Sequence, residues 1–195
     1  MSRALILIDF INEFLHPDGK ITPQGMGKFC HEHHTVENVQ KLIRYFREQG
    51  EEIIWVHLGF HENYDNCSHI SPRFSGALSA GILREDSWST AFLSELDHRD
   101  EEMTFTKIRV SPFYQTDLEK YLREQGIDTI IVAWVATDLA VSSITRDAHD
   151  RDFRVTVVAD ACATISQEHH DAALIAIAKL GTVVGTEELL KNWEA

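Results

Sequence analysis

Six short apolar runs, rich in β-branched residues, alternate with amphipathic helical patterns along the whole chain. The runs cover residues 4–8, 52–58, 104–108, 128–134, 154–159 and 182–184. Strands buried on both faces read as continuous apolar runs, as these largely do. The helical patterns cover 35–49, 116–126 (opening on a Thr116 capping box), 138–150 and 166–180. This alternation predicts an α/β fold: three α/β/α layers with a doubly wound, six-stranded, mostly parallel sheet.

The chain length fits one domain spanning residues 1–195. Only residues 59–89 form a long irregular stretch, and such a loop in a compact domain is usually a lid, a binding loop or an oligomer contact. Its aromatic residues make it too apolar to be left fully in water. We therefore predict a homo-oligomer, most simply a homodimer, whose contact includes part of this stretch with Phe60, Tyr64, Phe74 and Trp88.

The charge balance excludes two classes of partner. The formal net charge is -13, from 18 basic and 31 acidic residues, and such a field repels phosphate backbones and anionic membranes. We expect no nucleic-acid binding and no membrane association, because the chain also has no run of about 18 apolar residues. The first residues lack the pattern of a signal peptide, so the expected location is cytoplasmic.

No cofactor or metal is expected from the motifs. Neither G-x-G-x-x-G, nor the P-loop pattern, nor G-x-S-x-G occurs in the sequence. The 11 histidines lack the spacing of a ligand motif. The three cysteines, Cys30, Cys67 and Cys162, lie far apart and indicate reduced thiols rather than a disulfide framework.

Two charged residues interrupt apolar strands near their ends. Asp9 follows the first run, where Phe10 and Phe14 surround it with apolar surface. Lys107 lies near the end of the third run and is costly to bury without a partner. Since reacting groups in doubly wound sheets collect at the carboxyl ends of the strands, the two side chains are expected to pair there. The alternatives are a turn-capping Asp9 and an exposed Lys107 on an edge strand.

Four blocks in the same order resemble those of the isochorismatase-like hydrolases, also called the cysteine hydrolase superfamily. They are residues 5–14 (LILIDFINEF), 106–118 (TKIRVSPFYQTDL), 134–148 (WVATDLAVSSITRDA) and 157–163 (VVADACA). The blocks span nearly the whole length, and it is their order, more than any one of them, that makes the resemblance specific. The resemblance implies a Rossmann-like fold and a catalytic role for Asp9 and Lys107.

In most members of that superfamily, the residue that matches Ala140 is the cysteine of an Asp-Lys-Cys triad. The thiolate attacks an amide carbonyl after the Asp has taken its proton. Members without the cysteine, the isochorismatases, cleave a vinyl ether, and there the resemblance implies that the Asp is a general acid. For this chain it implies Asp9 as general acid/base, Lys107 as electrostatic partner, and Ala140 as an inert residue at the nucleophile position.

Three functional interpretations remain open at this point. The chain is a hydrolase without covalent catalysis, an amidase whose cysteine is replaced by Ala140 naturally or by engineering, or a catalytically silent binding or assembly partner. Trp134 stands where the family usually has glycine. This second departure favours natural divergence, because an engineer would have no reason to change it.

The resemblance also implies a bent backbone at Val135–Ala136, with a non-proline cis peptide. In that arrangement the amide N–H groups of Val135, Ala136 and Ala140 would face an oxyanion.

The substrate is expected to be a small anionic metabolite. Lys107, Arg109 and Arg73 could meet a carboxylate in this acidic protein. The remaining substrate-binding candidates are Phe14, Trp88, Phe113, Tyr114, Trp134 and Thr137.

Overall fold

A six-stranded sheet forms the centre of the computed structural model, which describes residues 2–193. The strands are β1 (Ser2–Ile8), β2 (Glu52–Leu58), β3 (Met103–Lys107), β4 (Ile127–Trp134), β5 (Arg154–Val158) and β6 (Thr182–Val184). Their order is β3-β2-β1-β4-β5-β6, and all five pairings are parallel. The predicted α/β fold with its doubly wound sheet is confirmed, and every predicted strand lies within two residues of its observed bounds.

The helices connect successive strands. They are α1 (Asn12–Leu15), α2 (Met26–Glu32), α3 (Thr35–Gln49), α4 (Ala77–Ala80), α5 (Leu118–Glu124), α6 (Ser142–His149), α7 (Gln167–Ile177) and α8 (Thr186–Trp193). The sequence patterns predicted α3, α5, α6 and α7. They missed α1, α2 and α4, which are only four to seven residues long, and they also missed α8.

Two predicted helix starts are wrong in detail. Helix α5 begins at Leu118, two residues later than predicted, and Asp117 before it makes no side-chain capping bond. The Thr116 hydroxyl donates to the Pro112 carbonyl, and its Oγ1 accepts the Leu118 N–H at 3.4 Å. The pattern at 138–150 opens on a π-helical turn, Thr137–Val141, and α6 follows it. By contrast, Ser166 caps α7 as predicted, since its Oγ accepts the His169 N–H.

The core lies along the central strands and the apolar faces of the helices. Residues 4–8 of β1 are fully buried, as expected for a central strand covered on both faces. Helix α3 packs on β1 and β2 and buries Val39, Leu42, Ile43 and Phe46, which belong to its predicted apolar face. Helix α5 contacts β4, α6 contacts β5, and α7 contacts β6 and the π-helical turn.

The strand order reverses direction at β1. Chain progress runs from β1 through β2 to β3 on one side, and from β4 through β5 to β6 on the other. In open α/β sheets, ligands bind outside the carboxyl ends of the strands at such a switch point. Ile8 at the end of β1 is in register with Trp134 at the end of β4. A ligand site is therefore expected among the residues that follow β1 and β4.

The stretch 59–89 is more ordered than its sequence suggested. It contains α4 and the start of a 3₁₀ turn at Trp88–Thr90. Phe60, Tyr64 and Phe74 are buried within their own chain, so they do not support the predicted oligomer contact. The exposed apolar residues of the stretch are instead Ile70, Leu78 and Trp88. In residues 2–193, no helix has both the length and the apolar character needed to cross a bilayer.

Candidate active site

Asp9 stands directly after β1 in a left-handed backbone conformation. Its φ is 58°, in a region that Asp tolerates better than most other non-glycine residues. Its N–H donates to the Val56 carbonyl at 2.9 Å, which extends the pairing with β2 beyond the end of β1. Its Oδ1 accepts the Leu58 N–H at 2.7 Å. The turn thereby fixes the carboxylate over the end of the neighbouring strand.

Lys107 is the last residue of β3 and reaches across β2 to Asp9. Its Nζ lies 2.8 Å from Asp9 Oδ2, and the two side chains are only 2% and 5% exposed. Nζ also donates to the Arg109 carbonyl at 3.3 Å. Burial holds the pKa of the Lys107 ammonium below its ordinary value; the Asp9 charge opposes this shift, and the Arg73 charge adds to it. The predicted Asp9–Lys107 pairing is confirmed.

Trp134 supports this pair from inside the protein. Its Nε1 donates to Asp9 Oδ2 at 3.1 Å, and its ring lies under Lys107 Nζ at 5.0 Å from the ring centroid. The side chain is fully buried. The prediction that Trp134 lines the apolar side of a substrate is therefore wrong, because the indole lies behind the carboxylate. Asp9 accepts three hydrogen bonds in all, one on Oδ1 and two on Oδ2.

Ala140 faces the same small cavity as Asp9 and Lys107. It belongs to the π-helical turn, a distortion that is often found at functional sites. The cavity volume is about 20 Å³, room for about one water molecule. The described residues that line it are Asp9, Phe14, Leu58, Arg73, Phe74, Lys107, Val110, Val135, Ala136, Leu139 and Ala140. No thiol or hydroxyl occurs among these lining side chains.

The backbone between β4 and α6 contains the Val135–Ala136 peptide in the cis form, at the position where the resemblance implies one. Of the three expected oxyanion donors, two have carbonyl partners within the fold. The Val135 N–H donates to Ile8 O at 3.3 Å, and the Ala140 N–H donates to Ala136 O at 3.0 Å. In the described part of the chain, the Ala136 N–H is the one expected donor beside the cavity for which no backbone partner is seen.

Four other expected substrate-binding residues do not line this cavity. Phe113 is buried and stacks on Phe153. The Arg109 guanidinium donates to the carbonyls of Asn66 and Ile108, and it lies over the ring of Tyr114. Trp88 packs its ring edge-on against His16 and is half exposed in a separate surface groove. All four residues lie outside the strands and α-helices, where the sequence pattern does not show which way a side chain points.

Thr137 is also not among the residues that line the cavity; it is fully buried and bonded to His170. Its Oγ1 lies 2.9 Å from His170 Nδ1, and its N–H donates to the Ala163 carbonyl. Next to it, the Thr164 hydroxyl donates to Asp138 Oδ1 at 2.7 Å. These bonds tie the π-helical turn to α7 and to the loop after β5. The sequence patterns missed His170 and Thr164 because both contacts join segments distant along the chain.

Residues 2–193 contain no candidate metal site, because nowhere in this range do at least three His, Cys, Asp or Glu side chains lie close enough together to hold an ion. The chemistry of the described cavity is therefore that of a carboxylate, an ammonium, an arginine at the rim and apolar walls.

A comparison with known protein families shows to which of them this chain belongs. A family model described as the isochorismatase domain matches residues 3–188. This chain belongs to the isochorismatase family. It is thus an isochorismatase-like hydrolase by family.

Three proteins illustrate this relationship. The isochorismatase family protein YwoC of Bacillus subtilis is 32% identical over 158 residues, 80% of this chain and 82% of that protein. An Arabidopsis thaliana protein named "Probable inactive nicotinamidase" is 25% identical over 98% of this chain and 94% of that protein. The crystal structure of an isochorismatase-like hydrolase from Alkaliphilus metalliredigens superposes with a TM-score of 0.82 at 25% identity, covering 99% of this chain and 100% of that one.

The first prediction for this isochorismatase-family chain concerns the indole N–H. Trp134→Phe keeps an aromatic ring near Lys107 but removes one of three donors to Asp9. A hydrogen bond to a charged group usually contributes about 1.5–3 kcal/mol. We expect the free energy of unfolding in denaturant to fall by that amount. We also expect the NMR chemical shift of the Asp9 carboxyl carbon to change, because the carboxylate loses a hydrogen-bond donor.

Trp55→Phe is the matched control for this experiment. Trp55 is also fully buried, and its Nε1 donates to Glu102 Oε2 at 2.7 Å, away from the cavity. Both variants should lose stability, but only Trp134→Phe should change the chemical shift of the Asp9 carboxyl carbon. An unchanged shift in Trp134→Phe would contradict the role of Trp134 in holding Asp9.

The second prediction concerns His170. Burial lowers the pKa of His170 below its ordinary value, and the His33 charge adds to this while Asp171 opposes it. The unfolded chain therefore binds more protons than the folded chain in the window below about 6.5, so stability there rises with pH. As the pH is lowered from about 6.5 to about 5, we expect the free energy of unfolding to fall more steeply in the unsubstituted chain than in His170→Gln. Parallel curves for the two proteins, measured by urea unfolding, would refute this linkage.

Proposed function

We propose that this chain hydrolyses a small anionic metabolite without a covalent protein nucleophile. Asp9 is the general acid/base, Lys107 is its electrostatic partner, and water is the nucleophile. The observation that carries the proposal is the buried Asp9–Lys107 pair, which faces the Ala140 methyl across one small cavity. The family assignment supports hydrolysis as the reaction class.

The side chains around the cavity favour water as the nucleophile. The described lining residues offer no thiol or hydroxyl that could attack a substrate. The three cysteines are buried elsewhere. Burial raises the pKa of the Cys30 and Cys162 thiols to about 12 and also raises that of Cys67. Since the thiolate is the reactive form, none of these side chains is a plausible nucleophile near neutral pH.

Proton transfer is assigned to Asp9 Oδ1. In the described structure this oxygen accepts one hydrogen bond while Oδ2 accepts two, so Oδ1 retains a lone pair that can carry a proton. With a vinyl ether as substrate, a proton that Oδ1 has taken up from solvent goes to the terminal carbon of the double bond, and an oxocarbenium ion forms. Water adds to this cation, and the hemiketal releases the alcohol as a proton returns to Asp9. Lys107 stabilises the carboxylate that forms in the first step.

Arg73 supports an anionic substrate. It lines the cavity, and its charge is close enough to Lys107 to lower the pKa of that ammonium. A substrate carboxylate beside Arg73 would relieve this repulsion. Arg109, the other arginine considered from the sequence, is bonded to backbone carbonyls and is not part of this proposal.

An inactive amidase is the second candidate. The observation that favours it is Ala140 itself, since the resemblance implies a cysteine there, and one relative carries the name of an inactive nicotinamidase. Assembly into a homo-oligomer, by contrast, stays a prediction. In the described chain the exposed Ile70, Leu78 and Trp88 are what support it.

The third prediction is that Asp9→Asn abolishes hydrolysis. The amide cannot deliver a proton, and general acid catalysis contributes about 10²–10⁴-fold to the rate. The variant also leaves the Lys107 charge buried without its partner, so stability should fall by about 3–5 kcal/mol. Turnover of isochorismate and of simple vinyl ethers, esters and amides would be measured at a temperature where the variant is folded.

Asp160→Asn is the control for this variant. Asp160 lies after β5 at the same edge of the sheet, where its Oδ1 accepts the N–H and hydroxyl of Thr186, and it does not line the cavity. It should keep full turnover. If Asp9→Asn retains the rate of the natural chain, Asp9 is not the acid/base.

The fourth prediction separates the two candidates. The non-covalent mechanism predicts that the chain is active as it stands and that alkylating its accessible thiols leaves this activity unchanged. The inactive amidase predicts no turnover until Ala140→Cys supplies a thiol beside Asp9, after which amides are hydrolysed. The non-covalent proposal is falsified if Ala140→Cys hydrolyses amides while the natural chain hydrolyses no vinyl ether, ester or amide at any pH.

A further inference from the structure

A second, larger cavity adjoins the one that holds Asp9 and Lys107. Its volume is about 280 Å³, against about 20 Å³ for the inner cavity. The two share a wall made of Phe14, Leu58, Arg73 and Phe74. We call them the inner and the outer cavity. The inner cavity has room for about one water molecule or a reacting group of that size, but not for the body of a metabolite.

The outer cavity is mostly apolar. Ile21, Ile82 and Leu83 line it together with the shared phenylalanines. Three small residues on or beside α4, Gly76, Ala77 and Ala80, are part of its lining, and a Cβ added at Gly76 would meet no atom within 4 Å. Such walls favour an aliphatic or aromatic body, which gains free energy by leaving water.

The charges around the outer cavity are of one sign. Its described lining contains Lys20 and Arg73 and no carboxylate, in a chain with 31 acidic and 18 basic residues. Lys20 Nζ donates to the Ala80 carbonyl at 2.6 Å. Among the described residues, no carboxylate lies within ion-pair distance of Arg73 or Lys20. Arg73 also faces the inner cavity, so a bound anion would lie at the boundary between the two.

We propose that the outer cavity is a substrate subsite for an apolar body of several carbon atoms that carries a carboxylate, with Arg73 binding the carboxylate. This inference rests on the proposed function, because it takes the inner cavity as the place of reaction. The substrate class is then a carboxylate with an apolar chain or ring, rather than a small polar amide. The shared wall aligns such a molecule, because its anionic group is fixed at Arg73 while its body occupies the outer cavity.

Equilibrium binding of simple carboxylates tests this subsite without turnover. Acetate, butanoate, hexanoate and uncharged hexanamide would be titrated into the full chain by calorimetry or by NMR. Each methylene buried from water strengthens binding, so we expect hexanoate to bind at least tenfold more tightly than acetate. Hexanamide should bind at least tenfold more weakly than hexanoate, because it lacks the charge that Arg73 recognises.

Substitutions on α4 test the apolar part of the subsite, and a substitution at Arg73 tests the part that binds the carboxylate. Ala80→Phe fills the outer cavity and should weaken hexanoate to the level of acetate. Leu78→Phe is its matched control, since Leu78 is exposed on the same helix and does not line the cavity; it should bind hexanoate like the natural chain. Arg73→Gln should weaken acetate and hexanoate alike. Thermal unfolding of each variant confirms that it is folded.

Equal affinities for acetate and hexanoate, or unchanged hexanoate binding in Ala80→Phe, would overturn the subsite. The proposed function fails on a different result, namely the absence of turnover or its persistence in Asp9→Asn. Chain-length-dependent binding in a chain that turns nothing over would support the subsite and reject the catalytic proposal. Turnover without chain-length dependence would do the reverse.

Discussion

Two opposite charges lie side by side at the edge of the sheet, with 2.8 Å between Asp9 Oδ2 and Lys107 Nζ and almost no exposure to water. Removing both from water costs several kcal/mol for each ion, which their attraction offsets only with good geometry and further hydrogen bonds. The fold supplies both. The Leu58 N–H and the Trp134 indole bind the carboxylate, and the Arg109 carbonyl accepts from the ammonium. The positions of β2, β3 and β4 around β1 are what bring these groups together.

A buried ion pair is weak evidence of a need for stability, because well-packed apolar residues in its place are often as stable or more so. Its location therefore matters more than its energy. This pair borders a cavity, at the topological switch point of the sheet, with an arginine at the rim. Burial lowers the pKa of the Lys107 ammonium, and a charged group with a shifted pKa beside a cavity favours a chemical role over a packing role. The location of this pair supports the proposed catalysis by Asp9 independently of the family resemblance.

The sequence predicted the sheet and the charged pair because each depends on a regular pattern. Asp9 and Lys107 stand out as charges at the ends of apolar runs, and parallel strands bring such ends to one edge. Trp134 shows the limit of this reasoning. Its position at the end of β4 was clear, but the direction of its side chain was not, and the indole lies behind Asp9. Phe113 and Tyr114 were misassigned for the same reason, since both follow β3 in a loop without periodicity.

The identity of residue 140 is coupled to the size of the inner cavity. With the Ala140 methyl in place, about 20 Å³ remains beside Asp9, roughly what one water molecule requires. A sulfur atom on the same Cβ would take much of that space. A covalent mechanism needs the sulfur there first and admits water only later, whereas a non-covalent mechanism needs water there from the start. With alanine at this position the space beside Asp9 stays free for a water molecule, which is what the proposed non-covalent mechanism requires.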